Sequence, residues 1–340
     1  MMQSIGVGIA GVLVGGFLNG SFVAPMKRLK NWQWENTWLV YSIAGLFVIP
    51  WIVAAGTVPQ LGAVIQGASS AAIWKVLLFG LGWGIGSVLF GLGVSRMGLA
   101  VGYGLILGLI APIGTFLPLL VLHPERLQTE QGRSLMIGTA IVLFGIVLCA
   151  TAGRIRERAA AHDNAAGQPR SGFMVALLIC VLAGIFSPML NFAFVFGKEL
   201  QDSALSFGAD QAMSSNAIWA LTLTAGLVVN AGYCVYLLNR NRTWGVFRGA
   251  GGGYWIGASL MGLICFGSFM VYGVGATALG PLGGIVGWPL FMSMALITSN
   301  LLGALSGEWA SAPRQAWMYS IAGMGLLIVA ITIIARGGQS

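Results

Sequence analysis

Ten runs of about 20 predominantly apolar residues make up most of this 340-residue chain, and little but short polar breaks separates them. At ~1.5 Å of rise per residue, a helix of that length crosses the ~30 Å hydrocarbon core of a bilayer. The runs lie at roughly 4–24, 36–56, 73–94, 98–121, 134–153, 172–196, 214–238, 254–275, 282–305 and 315–335. Backbone polar groups find no water in hydrocarbon, so such runs form helices that satisfy their own N–H and C=O groups. The expected fold class is therefore an all-α integral membrane protein. Charged residues support it: they are 8% of the chain, against ~25% in soluble domains. The 52 glycines fit no collagen or linker pattern; they suit helices that approach closely in lipid. The first run lacks a basic stretch before it and is followed by Lys27, Arg28 and Lys30, so it reads as a retained helix rather than a signal peptide.

The net charge of +8 does not point to nucleic acid, because the basic residues form no long patch interleaved with aromatics. They sit in short clusters between the apolar runs. One set of loops carries twelve: Lys27, Arg28, Lys30, Arg96, Arg154, Arg156, Arg158, Arg170, Arg240, Arg242, Arg248 and Arg314. The other side carries five: Lys75, Arg126, Arg133, Lys198 and Arg336. The positive-inside rule makes the first set cytoplasmic, and an even number of spans then puts both termini outside. Trp32, Trp34, Trp38, Trp244, Trp309 and Trp317 fall at span ends, where an interfacial belt forms.

The two halves repeat. Span three ends Phe90-Gly91-Leu92-Gly93-Val94-Ser95-Arg96-Met97-Gly98, and span eight ends Tyr272-Gly273-Val274-Gly275-Ala276-Thr277-Ala278-Leu279-Gly280. Both read aromatic–Gly–aliphatic–Gly–x–x–x–apolar–Gly. The copies lie an odd number of spans apart, so the second is inverted in the membrane. The organisation expected is a first five-helix repeat over 1–155, a cytoplasmic linker over 156–171 and a second, inverted repeat over 172–340. Inverted repeats of this kind build secondary transporters, with the substrate site near the midplane between the halves.

No Walker A, HExxH or GxSxG sequence occurs, and Gly6-Val7-Gly8-Ile9-Ala10-Gly11 matches GxGxxG only inside a membrane run with no strand before it. The chain therefore reads as no enzyme, with no catalytic residues, metal or cofactor. Cys149, Cys180, Cys234 and Cys265 stand singly in apolar runs as small packing residues, and His123 and His162 lie apart in loops. None of the nine acids is mid-span. Proton-coupled carriers commonly keep an ionisable group in the pathway, so the coupling candidates are those at span ends: Glu35, Lys198, Glu199, Asp202 and Glu308. Glu35 also suits a helix dipole at the start of span two, and Lys198 also suits snorkelling.

Neutral polar residues inside the runs are the better substrate ligands. Asn19, Asn191, Asn230 and Asn300 need partners among helices, water or a ligand, and Asn19 and Asn191 occupy corresponding spans of the two repeats. A sugar offers a C–H face for an aromatic ring and hydroxyls for amides. The substrate-binding candidates are Asn19, Trp83, Tyr103, Asn191, Phe266, Tyr272 and Trp288, with helix packing as the alternative role for each. Pro112 and Pro118 in span four, Pro188 in span six and Pro289 in span nine can bend or break their helices where backbone lines a cavity.

Asn19-Gly20-Ser21-Phe22-Val23-Ala24-Pro25-Met26-Lys27 with Trp32-Gln33-Trp34-Glu35 resembles the start of the L-rhamnose–proton symporter family, in which Ala-Pro-x-Lys precedes a basic run and Trp-x-Trp-Glu. Pro50-Trp51, Gly82-Trp83-Gly84-Ile85-Gly86 and Gly307-Glu308-Trp309 extend the likeness along the whole chain. The resemblance implies the drug/metabolite transporter fold, with spans one to four and six to nine around a central cavity. It also implies proton-coupled uptake of L-rhamnose or a related deoxyhexose by alternating access. The partners so implied are a small sugar, protons and the bilayer, with no nucleic acid and no obligate protein partner. Span eight, Cys265-Phe266-Gly267-Ser268-Phe269, is less aromatic than in enterobacterial members, which leaves room for another sugar. Export or exchange of an amino acid, drug-like molecule or nucleotide sugar is the alternative within the superfamily; a non-transporting membrane sensor is the alternative outside it.

Overall fold

Apolar runs bounded by glycine, proline and charge fold here into helices; span six breaks at Pro188, whereas spans four and nine run unbroken through Pro112, Pro118 and Pro289. The computed structural model describes residues 2–97, 99–161 and 173–337. Most of the expected linker, with His162, Asp163 and Arg170, lies outside the described residues, as does the side chain of Tyr103. In chain order the α-helices are α1 (Met2–Ser21), α2 (Trp34–Ile43), α3 (Ile49–Thr57), α4 (Leu61–Gly67), α5 (Ser70–Met97), α6 (Leu99–Leu122) and α7 (Glu130–Ala161). They continue as α8 (Phe173–Phe186), α9 (Met189–Phe196), α10 (Lys198–Ser206), α11 (Asn216–Asn241), α12 (Gly252–Ala278), α13 (Gly283–Leu305) and α14 (Arg314–Gly337).

Among the described residues, ten segments are long and apolar enough to cross a membrane, matching the ten runs expected. Two are composite. Span two joins α2 and α3 through a π-turn over Ala44–Val48, just ahead of Pro50, which has no N–H to continue the ladder. Span six is broken at Pro188 between α8 and α9, then continues past residue 196 into α10. Its reach to Ser206 exceeds the expected end because Lys198 and Asp202 lie one turn apart and let a polar helix carry on.

Spans one, nine, four, six, three, seven, two and eight touch one another in that order and close a circuit of eight helices. Spans five (α7) and ten (α14) pack on each other outside it, five also against four and ten against nine. Glycine sets the closest crossings. A Cβ on Gly45 would come 2.5 Å from Gly262 Cα, so spans two and eight meet backbone to backbone. On α1, Gly11 and Gly15 face α12, while Gly16 and Gly20 face α13. One end of the bundle, here the basic face, carries Lys27, Arg156, Arg240 and Arg314. The opposite face is covered by α4 and α10, where Val64, Leu200 and Ala204 form a buried apolar cluster with Val58 and Ala68.

Candidate functional site

Toward the opposite face the spans are tied together by buried hydrogen bonds, and prolines explain how. Pro118 has no N–H to return to the carbonyl four residues earlier. That carbonyl belongs to Gly114, and Asn191 Nδ2 donates to it at 3.1 Å. Asn191 is presented there because the chain breaks at Pro188 and restarts as α9. Its amide also donates to Gly284 O at 3.0 Å, and Tyr272 Oη donates to its Oδ1 at 2.6 Å. Trp288 Nε1 donates to Ile110 O at 3.2 Å. Spans four, six, eight and nine are thus tied through one fully buried amide. Rings fill the space around it: Tyr272 meets Trp288 edge-on at 6.0 Å, and Trp219 stacks on Phe194 at 5.5 Å.

Toward the basic face the polar groups are less enclosed. Asn19 Nδ2 donates to Ser268 Oγ at 3.2 Å. Trp38 Nε1 and Ser87 Oγ each donate to Asn230 Oδ1 at 3.1 Å, and Trp83 stands edge-on to Phe269 at 5.9 Å. Asn19, Trp38, Trp83 and Ser87 are all only half-buried. A cavity of about 240 Å³ opens between spans one, four, five and nine, with Leu107, Ile146, Leu296, Asn300, Arg156 and Glu308 among its walls.

Glu308 reaches that wall by a helix-ending turn. Gly307 takes a left-handed φ of 81°, which glycine adopts at no steric cost. The Glu308 N–H then bonds to Gly303 O and the Gly307 N–H to Ala304 O, the paired bonds of a Schellman cap. The carboxylate so placed meets Lys27 Nζ at 2.5 Å and Arg156 Nη1 at 3.5 Å, and Lys27 also donates to Ser306 Oγ. Arg156 lies over the Trp309 ring, 5.1 Å from its centroid. One carboxylate therefore joins the basic-face ends of spans one, five and nine. Lys27 and Glu308 are 50% and 44% exposed, and ion pairs in that setting contribute ~0–1 kcal/mol. Such a clasp opens cheaply.

The other coupling candidates are engaged differently. Glu35 is buried, and its Oε1 accepts from Asn241 Nδ2 at 3.0 Å and Thr243 Oγ1 at 2.8 Å, binding the start of span two to the end of span seven. Glu199 accepts from the N–H and hydroxyl of Ser69 at 2.6 and 2.9 Å, which fastens α10 to the start of α5. Lys198 and Asp202 pair with each other at 2.8 Å on the surface of α10.

A family model described as L-rhamnose-proton symport protein (RhaT) matches residues 1–340. The chain belongs to that family. A relative from Klebsiella pneumoniae subsp. pneumoniae named L-rhamnose-proton symporter is 26% identical over 348 residues, covering 100% of both chains. One of the same name from Cronobacter sakazakii is 28% identical over 345 residues, covering 99% of each, and one from Escherichia coli is 26% identical over 350 residues at the same coverage. Membership in a transporter family and ten apolar helices make the chain a multi-pass membrane protein.

Within this family member, Asn191, Tyr272 and Trp288 come together in the hydrogen-bonded half, while Asn19 and Trp83 stand apart from them nearer the basic face. Phe266 is buried in the core. Lys27, Arg156 and Trp309 were not picked out from the sequence as site residues. Two signals pointed at them: Lys27 closes the Ala-Pro-x-Lys segment, and Trp309 follows Gly307-Glu308. Arg156 gave none beyond its place in a basic cluster.

Proposed function

We propose that the chain is a secondary transporter that carries L-rhamnose or a related deoxyhexose inward across the bacterial inner membrane with protons, by alternating access. The observation that carries this reading is the family match along all of residues 1–340, joined by end-to-end relatives named for that activity. No enzymatic step is part of the reading. We place the basic face in the cytoplasm on the charge count, with both termini periplasmic.

The proposed architecture is two inverted five-helix repeats, 1–155 and 172–340, linked by 156–171, as in the drug/metabolite transporter fold. The packing supports it. Span one lies on eight and nine as span six lies on three and four. The pairs two–seven, four–nine and five–ten each map onto themselves when the halves are exchanged. In this reading the Asn191–Tyr272–Trp288 knot closes the periplasmic half, and the cavity beside Glu308 belongs to a state that leans toward the cytoplasm. Asn19, Trp83, Tyr103, Asn191, Phe266, Tyr272 and Trp288 remain the proposed substrate groups along the path.

Of the coupling candidates, Glu308 is favoured over Glu35, Lys198, Glu199 and Asp202. It alone borders the cavity and joins three spans through opposite charges. A proton on its carboxyl removes the charge that holds Lys27 and Arg156 and so loosens the tie between the basic-face ends of spans one, five and nine. The test is counterflow of labelled L-rhamnose in proteoliposomes of the purified protein. Saturable exchange is expected; its absence for every deoxyhexose tried would end the proposal.

A further inference from the structure

We propose that the cavity beside Glu308 is a sugar subsite, with Asn300 as the residue that recognises a hydroxyl; this rests on the transport reading above. Its chemistry is two-sided. Leu107, Ile146 and Leu296 offer an apolar wall, suited to the methyl group and C–H face of a deoxyhexose, and Asn300, Glu308 and Arg156 offer a polar edge. Pockets that hold small molecules combine mostly apolar walls with a few placed polar groups. At about 240 Å³ the space equals roughly eight waters at ~30 Å³ each. A single pyranose fits in that space.

The polar edge has capacity to spare. Asn300 turns one amide proton back to Leu296 O at 2.9 Å, and its Oδ1 takes no bond from protein among the described residues. Ser299, also on the wall, spends its proton on Leu296 O at 3.0 Å and can still accept. Glu308 has lone pairs beyond those used by Lys27 and Arg156. A hydroxyl bonded to that carboxylate competes with the two cations, so sugar and proton act on one group. Asn191, the stronger candidate from the sequence, is the contrast: its amide protons and Oδ1 are already bonded to protein.

The experiment places a reporter on the wall. Ser299→Cys is made in a chain whose Cys149, Cys180, Cys234 and Cys265 are replaced by alanine, and its reaction with a water-soluble methanethiosulfonate is timed in proteoliposomes. L-rhamnose at ten times its half-saturating concentration is expected to slow the reaction roughly tenfold. Counterflow by the same chain shows that it is folded. Independently, Asn300→Leu is expected to raise the half-saturating L-rhamnose concentration about tenfold, the effect of one lost hydrogen bond. Counterflow without protection, or labelling only by a bilayer-soluble maleimide as for a lipid-filled crevice, overturns the subsite and leaves the transport reading standing. Protection of this chain, together with no counterflow by the unaltered protein, keeps the subsite and overturns the transport reading.

Discussion

Asn191 and Glu308 show how single residues divide the labour. Asn191 supplies the two protons that Gly114 O and Gly284 O accept in an apolar interior. Removing Asn191 leaves Gly114 O with the cost of desolvation and no side-chain bond in return, while Gly284 O keeps the Tyr272 hydroxyl at 3.2 Å. Asn191→Leu is therefore expected to destabilise the protein by about 2–4 kcal/mol, seen as a lower unfolding temperature in detergent. An unchanged temperature would mean the knot holds nothing. Glu308→Gln keeps the shape of the carboxyl and removes its titratable proton. It is expected to retain L-rhamnose counterflow and lose accumulation driven by a pH gradient, which parallel flux assays on one preparation separate. The sequence exposed both residues, one as an amide in hydrocarbon and the other as an acid beside Gly307 and Trp309. It did not expose their partners. Gly114 O becomes available only because Pro118 follows four residues later, and Lys27 and Arg156 are 129 residues apart, joined only by the packing of spans one, five and nine.

Apolar length made the ten spans legible, because crossing a bilayer demands it and little else in sequence imitates it. The interruptions were harder to read. Pro188 signalled a break, yet the continuation through α10 was missed because Lys198-Glu199-Leu200-Gln201-Asp202 reads as a loop on hydropathy alone. Its place is fixed by tertiary bonds, from Glu199 to Ser69 and from Gln201 Nε2 to Ser214 and Thr277. Glycine count announced close packing but not which faces pack. Gly45 and Gly262 are in backbone contact, whereas Gly56 and Gly267 have no atom within 4 Å of a built Cβ. Gly45→Val should force spans two and eight apart and sharply cut the yield of monodisperse protein on size-exclusion chromatography. Gly56→Val and Gly267→Val should not. Equal yields from all three would remove close packing as the reason for glycine at position 45.

In the molecule as a whole, spans are tied by buried hydrogen bonds toward one face and clasped by ion pairs at the other. The two inverted repeats read from the nonapeptide that ends spans three and eight are a proposal, which the contacts of helix on helix support. Orientation is a separate question, which the Lys and Arg distribution alone addresses. A cysteine at Gly62, between spans two and three, is expected to react with an impermeant maleimide added to intact cells. One at Gly245, between spans seven and eight, should react only after the membrane is opened; both positions are exposed. The reverse pattern would invert the account. Proton-driven import of a deoxyhexose is the proposed activity. Its most direct test is uptake of labelled L-rhamnose into proteoliposomes with an imposed gradient, acid outside. Accumulation above the external concentration that saturates with sugar and collapses with a protonophore is the predicted result. Uptake that only equilibrates, whatever the gradient, would contradict it.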